Sequence, residues 1–321
     1  MSAEDLPAAG HQVIAAAEKY GVKHLFTLSG AHIFPLYDAC EKRPHAPALV
    51  DTRSEQTAGF AAEAAARLTR TPGFVAATAG PGVTNLLTPI TSAFFNGAPL
   101  VAIGGRSPDF RWGLGALQEL DQPPLFTSVT KSAVTAHDCE QVGTLTEAAF
   151  ATAMSPHQGP TFLDIPMDKL FTPAPVLTEP LASITKPQSD LTQLDLAIEM
   201  ISAAQRPVII AGGDIWQNRA ELEFRALVAQ IGIPVIVNGM ARGILNPANP
   251  LLVTPARSYA LKNADLVIVA GTPLDFRLGY GDFGGAHVIF ISDDPRTSPL
   301  AQAVRITGDL PDLMSTIATC L

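Results

Sequence analysis

A chain of 321 residues, 47% hydrophobic and 16% charged, carries enough apolar material for about two packed domains and is too apolar to be disordered. Its formal net charge of −9, with no Lys/Arg-rich run, repels nucleic acid and anionic membrane, so a small-molecule substrate is expected. Cys40, Cys139 and Cys320 are far apart and form no C-x-x-C pair; they read as reduced structural thiols and argue against a zinc site. The start, Met1-Ser2-Ala3-Glu4-Asp5, is acidic and lacks the basic, then apolar, pattern of a signal peptide. No apolar run approaches the ~20 residues that cross a bilayer, so a cytoplasmic location is the default expectation.

Short apolar runs alternate with longer segments of helical period, which is the rhythm of a parallel sheet covered by helices. In the first half the predicted strands are 24–28, 48–51, 74–78, 100–104 and 161–165. The Ala-rich stretch 55–70 predicts a helix, with Phe60, Ala64 and Leu68 spaced for one buried stripe and Thr71-Pro72-Gly73 to stop it. From 172 to 190 the chain turns irregular, with Pro173, Pro175, Pro180 and Pro187, and reads as an interdomain linker. The second half repeats the rhythm: strands 207–211, 234–237, 265–270 and 287–291, helices near 220–231 and 257–262, and a last helix from Pro311. The fold class is therefore α/β, with two doubly wound parallel-sheet domains at 1–171 and 191–321.

Chemistry has few places to sit. Glu55, in Asp51-Thr52-Arg53-Ser54-Glu55-Gln56, starts a helix right after a strand. Its plain reading is a charge that favours a first helical turn; its functional reading comes from the rule that open α/β sheets bind ligands beyond the carboxyl ends of their strands. Thr78-Ala79-Gly80-Pro81-Gly82-Val83-Thr84-Asn85 is a second strand-end turn, where glycine lets the backbone approach a flat ligand; Ser29-Gly30-Ala31 is a third. Each of these is also compatible with an ordinary strand-to-helix turn. Gly279-Tyr280-Gly281-Asp282-Phe283-Gly284 matches G-x-G-x-x-G, but a strand rather than a helix is expected after it, so it is not read as a dinucleotide fingerprint. No P-loop, nucleophile elbow or H-E-x-x-H occurs, and the seven histidines show no ligand spacing.

Taken in order, these turns resemble the pyrimidine-binding domain of acetolactate synthase and its thiamine diphosphate dependent relatives. Thr27-Leu28-Ser29-Gly30-Ala31-His32 with Leu36-Tyr37-Asp38-Ala39 is similar to the family's opening pattern, and Gly80-Pro81-Gly82-Val83-Thr84-Asn85 to its Gly-Pro-Gly-x-Thr-Asn. Arg53-Ser54-Glu55-Gln56 is similar to Arg-His-Glu-Gln, with Ser54 in place of His. The resemblance implies that Glu55 hydrogen-bonds a ring nitrogen of the cofactor's aminopyrimidine and favours the imino form, whose nitrogen removes the thiazolium C2 proton. It implies that Gly30, Ala31, Gly80, Pro81, Gly82 and Asn85 lie against the pyrimidine or substrate. Leu117-Gln118-Glu119 resembles a Phe-Gln-Glu segment near the substrate, which makes Gln118 a candidate catalytic residue and removes any aromatic contact of that Phe. Lys131 aligns with a lysine after that segment, an exposed loop lysine being the alternative.

The second half resembles the central domain of the same enzymes, whose ligand is FAD in many acetolactate synthases and ADP or coenzyme A in the oxalyl-CoA decarboxylase and 2-hydroxyacyl-CoA lyase branch. Asn238-Gly239-Met240-Ala241-Arg242-Gly243 and Leu274-Asp275-Phe276-Arg277-Leu278 look like acetolactate synthase-like proteins bordering that branch. Arg257, Asp275 and Arg277 are the candidate nucleotide-binding residues, with an ion pair as the other reading of the arginines. The family's Gly-Asp-Gly and Asn motif for the diphosphate and Mg²⁺ is absent from the 321 residues, so no metal ligand is assigned and this stretch alone is not expected to turn over. The leading expectation is a transferase or lyase joining two molecules of pyruvate into 2-acetolactate and CO2, a step of branched-chain amino-acid biosynthesis. A 2-hydroxyacyl-CoA lyase and a non-catalytic binding or assembly subunit are the alternatives. The implied partners are a 2-oxo acid or acyl-CoA substrate, further copies in a homodimer or homotetramer, and a diphosphate-binding domain in this or another chain.

Overall fold

The computed structural model describes residues 6–176, 186–294 and 302–321. The chain divides into two units, Met1–Ile184 and Thr185–Leu321. Among the described residues no helix is long and apolar enough to cross a membrane.

The first unit is a six-stranded parallel sheet in the order β2-β1-β3-β4-β6-β5. Its strands are β1 (His24–Thr27), β2 (Ala48–Asp51), β3 (Gly73–Ala77), β4 (Leu100–Arg106), β5 (Ala133–Thr135) and β6 (Thr161–Pro166). Every residue of β3, β4 and β6 is buried, as expected where helices cover both faces of a parallel sheet. Alternation then splits each strand between two cores. Phe74, Ala76, Ile103 and Leu163 face the helices Gly10–Lys19 and Val142–Met154, while Val75, Ala77, Ala102 and Phe162 face Glu55–Thr69 and Leu87–Phe95.

The helix Glu55–Thr69 begins where Ser54 accepts the Thr57 amide at 3.2 Å and ends at Arg70 in the left-handed region, φ 58°. Its buried face corrects the sequence expectation. Ala58, Ala62 and Ala66 point inward, whereas Phe60 and Leu68 are 43% and 67% exposed and Ala64 is exposed with them. The cause is a close approach that only small residues permit: a Cβ on Gly59 would lie 2.4 Å from Pro89 Cγ, and one on Gly73 only 2.3 Å from the Ala62 carbonyl oxygen. Large side chains are thereby forced to the other face.

The second unit is a five-stranded parallel sheet in the order β11-β10-β9-β7-β8. Its strands are β7 (Pro207–Ala211), β8 (Val235–Val237), β9 (Leu266–Ala270), β10 (His287–Ser292) and β11 (Val304–Thr307). Ile209, Ile268 and Ile289 pack toward the helices Leu194–Ala203, Glu221–Ile231 and Leu310–Cys320, and Val208, Val267 and Phe290 form the core of the other face. Of the linker expected over 172–190, residues 177–185 lie outside the described residues. Its edges belong to the units: Ala9 donates to the Thr172 carbonyl at 2.8 Å, and Asp190 to that of Thr307 at 2.8 Å. Strands β5 and β11 were not among the sequence expectations. The 3-10 turn Phe276–Gly281 overlaps the start of the G-x-G-x-x-G stretch and β10 is the next element, so no helix N-terminus follows that stretch.

Candidate active site

The order β2-β1-β3 in the first sheet means that the chain leaves β1 to one side and β3 to the other, so a crevice opens at the carboxyl ends of β1 and β3. Three segments meet there: Gly30-Ala31-His32 after β1, Glu55 after β2, and Thr78 to Asn85 after β3.

Thr78 is the hub. Its Oγ1 lies 2.9 Å from His32 Nδ1, and a Cβ on Gly30 would sit 2.3 Å from Thr78 Cβ. Gly30 has an extended backbone, so glycine is required there by space and not by backbone angle. Burial pushes the His32 imidazole below its ordinary 6.5, which keeps it neutral beside the threonine hydroxyl. Gly80 does need its backbone freedom, with φ 60°, and a Cβ on it would meet Gln118 Cβ at 2.9 Å. Gly82 opens the short helix Pro81–Asn85; a Cβ there would lie 2.8 Å from Thr78 Cγ2 and 3.3 Å from Glu55 Oε1. Bare backbone is thus laid against the carboxylate.

Glu55 is 8% exposed, and its Oε2 accepts a hydrogen bond from Asn85 Nδ2 at 2.9 Å. The buried carboxylate is therefore held in one orientation by a neutral donor. Behind the turn lies a network that the sequence did not reveal. Gln122 Oε1 accepts the Gly80 amide at 2.8 Å, Gln122 Nε2 donates to Asp164 Oδ2 at 3.1 Å, and Arg106 Nη1 donates to the same oxygen at 3.0 Å. Burial pushes the Asp164 carboxyl up despite that arginine. The Arg106 guanidinium in turn stacks on Trp112 at 3.8 Å. Gln122, just before the 3-10 turn Pro123–Leu125, and Asp164, within β6, carry no spacing that marks them in the sequence.

Gly30, Glu55, Gly80, Gly82, Asn85 and Gln118 are thus brought together, and Ala31 and Pro81 are exposed on the same turns. Gln118 has a left-handed backbone, φ 60°, unusual for a residue with a Cβ, and the loop before it is held by Ser107 Oγ donating to the Leu117 carbonyl at 2.8 Å. Lys131 is a correction. It stands before β5, at the amino end of the parallel sheet and so on the edge opposite Glu55, and its Nζ donates to the Ser155 carbonyl at 2.7 Å.

In the second unit Arg257, Lys262, Arg277, Asp282 and Gly284 line an open cleft of about 360 Å³. The arginines are already engaged. Arg277 Nη2 donates to Asp275 Oδ2 at 2.5 Å, holding that carboxyl below the usual range, and Arg257 Nη2 donates to the Arg277 carbonyl at 2.6 Å. Arg277 thus makes an ion pair with Asp275, which also caps its own turn by accepting the Arg277 amide at 2.9 Å. The three cysteines are free, and burial pushes the Cys40 thiol up to about 12, well outside the reactive range.

Comparison with known proteins matches this division. Residues 8–125 match the thiamine pyrophosphate enzyme N-terminal TPP binding domain, and residues 194–317 match the thiamine pyrophosphate enzyme central domain. The acetolactate synthase large subunit IlvG of Mycobacterium tuberculosis is 42% identical over 332 aligned positions, which cover 99% of this chain and 60% of that protein. Human 2-hydroxyacyl-CoA lyase 2 is 36% identical over 309 positions, covering 85% of this chain and 49% of that protein. A crystal structure from Mycobacterium smegmatis, described as a thiamin diphosphate-dependent enzyme, superposes with a TM-score of 0.84 at 20% identity over 99% of this chain and 63% of its own. The chain therefore spans half to two thirds of the length of the relatives it matches. The chain belongs to the thiamine pyrophosphate enzymes, of which it carries the N-terminal TPP binding domain and the central domain.

Proposed function

We propose that this chain supplies the pyrimidine-binding half of the active site of an acetolactate synthase-like carboligase, joining two molecules of pyruvate into 2-acetolactate with loss of CO2. The observation that carries the proposal is the buried Glu55 carboxylate, held by Asn85 under glycine turns at the switch point of the first sheet. A flat heteroaromatic ring suits this place, because Gly30, Gly80 and Gly82 offer backbone where any Cβ would intrude. When bound, thiamine diphosphate supplies the electron sink that stabilises a carbanion next to a carbonyl.

The work of the chain's own residues follows from their positions. Glu55 Oε1 is the oxygen not taken by Asn85, and it holds and moves a proton at a ring nitrogen of the aminopyrimidine. Asn85 keeps that carboxylate turned toward the ring, and the Gly80 to Gly82 turn shields it from water, which strengthens the hydrogen bond. Gln118, pressed against Gly80, orients the substrate carbonyl. The diphosphate and its Mg²⁺ are left to a diphosphate-binding domain in the same or another chain. The apolar stripe Phe60, Ala64 and Leu68 is the surface by which a second copy pairs with this one. In the central unit the cleft bounded by Arg257, Lys262 and Arg277 takes the phosphate end of FAD, ADP or coenzyme A.

The experiment combines this chain with its diphosphate-binding domain, adds thiamine diphosphate, Mg²⁺ and pyruvate, and measures 2-acetolactate and CO2. Formation of both supports the reading. Cleavage of a 2-hydroxyacyl-CoA with no acetolactate formed would replace it by the lyase reaction, and neither reaction would leave a non-catalytic role.

A further inference from the structure

Gln122 is fully buried, and each of its polar atoms meets a group of the complementary kind. Its Oε1 faces one donor, the Gly80 amide at 2.8 Å; its Nε2 faces two acceptors, the Gly105 carbonyl at 3.0 Å and Asp164 Oδ2 at 3.1 Å. Turning the amide over would set NH2 against N–H and oxygen against both a carbonyl and a carboxylate, so its orientation is fixed. Asp164 is anchored from the other side by Arg106, which is 5% exposed and lies 3.0 Å away. Gly105 at the end of β4 leaves room for the His32 backbone and Cβ, 2.5 Å from where its own Cβ would be. One side chain therefore ties the ends of β3, β4 and β6 together beneath the crevice.

What depends on Gly80 is the orientation of Glu55. The Gly80 carbonyl accepts the Thr84 amide at 2.9 Å, the first bond of the short helix that ends in Asn85, and Asn85 holds the Glu55 carboxylate at 2.9 Å. We propose that Gln122 is the positioning residue of this site: by holding the Gly80 amide to the Asp164–Arg106 pair, it sets the turn that aims Asn85 at Glu55. This rests on the role given to Glu55 above, and it is testable without any cofactor.

The test is residue-resolved amide hydrogen exchange and side-chain NMR on this chain, in the wild type and in Gln122→Met, which keeps the length and removes all three hydrogen bonds. In the variant the Gly80 amide exchanges at least about tenfold faster. The Ala102 amide in β4 keeps its wild-type rate as the fold control, and the Asn85 side-chain NH2 resonances move. A Gly80 amide that exchanges no faster in the variant overturns the proposal, and so does a loosened Gly80 with unmoved Asn85 resonances, which would make the bond a local one. Should the variant not fold, the wild type decides by itself: a Gly80 amide exchanging at the rate of an open loop overturns the assignment, and protection comparable to Ala77 supports it. A failure of the Glu55 reading shows elsewhere, in the proton chemistry of bound cofactor, and leaves these exchange rates as they are.

Discussion

Gly82→Ala places one methyl group inside the crevice, 2.8 Å from Thr78 Cγ2 and 3.3 Å from Glu55 Oε1. Two stability effects oppose each other. Alanine gains about 1 kcal/mol over glycine within the helix Pro81–Asn85, while overpacking costs about 1–3 kcal/mol, so a net loss of up to ~2 kcal/mol is expected. For a unit of this size that corresponds to a fall in Tm of up to about 8 °C, read by thermal unfolding. Thr78→Ser in the same chain deletes the clashing Cγ2 but keeps the Oγ1 that lies 2.9 Å from His32 Nδ1. The double variant should regain the lost stability to within about 0.5 kcal/mol. Activity should not follow, because the new methyl still presses on Glu55 Oε1, and turnover together with the diphosphate-binding domain should stay down by about tenfold or more. A double variant that recovers stability and full turnover together would refute the placement of Gly82 against a working carboxylate. A single variant more stable than wild type by the full helix gain of about 1 kcal/mol would refute the close packing itself.

Other expectations follow from the same geometry. Burial lowers the His32 pKa, so the unfolded chain binds the proton more readily; the stabilising contribution is complete above the ordinary value of 6.5 and is lost as pH falls below it toward the lowered folded value. Tm measured between about pH 7.5 and 5.5 should therefore drop more steeply for the wild type than for His32→Gln, and parallel curves would contradict the assignment. Phe60→Asp on the exposed face of the helix Glu55–Thr69 should leave Tm within about 1 kcal/mol-equivalent of wild type, yet shift the association equilibrium toward monomer in sedimentation. An unchanged distribution would remove this stripe from the pairing surface. In the second unit, Asp275→Ala should cost about 1 kcal/mol, chiefly through loss of the turn cap, since the ion pair with Arg277 is partly exposed and worth little. A loss of more than about 3 kcal/mol would show that the pair supports more than its own turn.

The architecture was legible because the central strands β3, β4 and β6 are buried end to end and stand out as continuous apolar runs between helical segments. Strands β5 and β11 escaped notice for the same reason inverted: both are edge strands of only three or four residues, Ala133–Thr135 and Val304–Thr307, the first with no buried residue and the second with Arg305 and Thr307 alternating with its buried ones. The helix 55–69 was placed correctly but turned the wrong way. Spacing alone favours Phe60 and Leu68 as the buried stripe, and only the approach of Pro89 and of Gly73 to the helix shows why alanine occupies the inside. In the site, the strand-end turns are written in the sequence, and the resemblance they carry pointed to Glu55, Gly80 and Asn85, which the fold brings together. Gln122, Asp164 and Arg106 went unmarked, because their contacts join residues from 17 to 58 positions apart through a buried network that no local pattern encodes. The sequence did not separate Lys131 from the site because β5, the short strand it precedes, went unrecognised, so nothing set it at the amino end of the sheet.

The central role proposed is that of Glu55 at the cofactor's pyrimidine. The direct measurement is the rate at which the thiazolium C2 proton of bound thiamine diphosphate exchanges with deuterium, in the chain combined with its diphosphate-binding domain, for the wild type and for Glu55→Gln. The glutamine keeps an acceptor for Asn85 Nδ2, so Tm should change by no more than about 3 °C. C2 exchange should slow by about 100-fold or more. Equal exchange rates in the two proteins, with cofactor bound in both, would contradict the account.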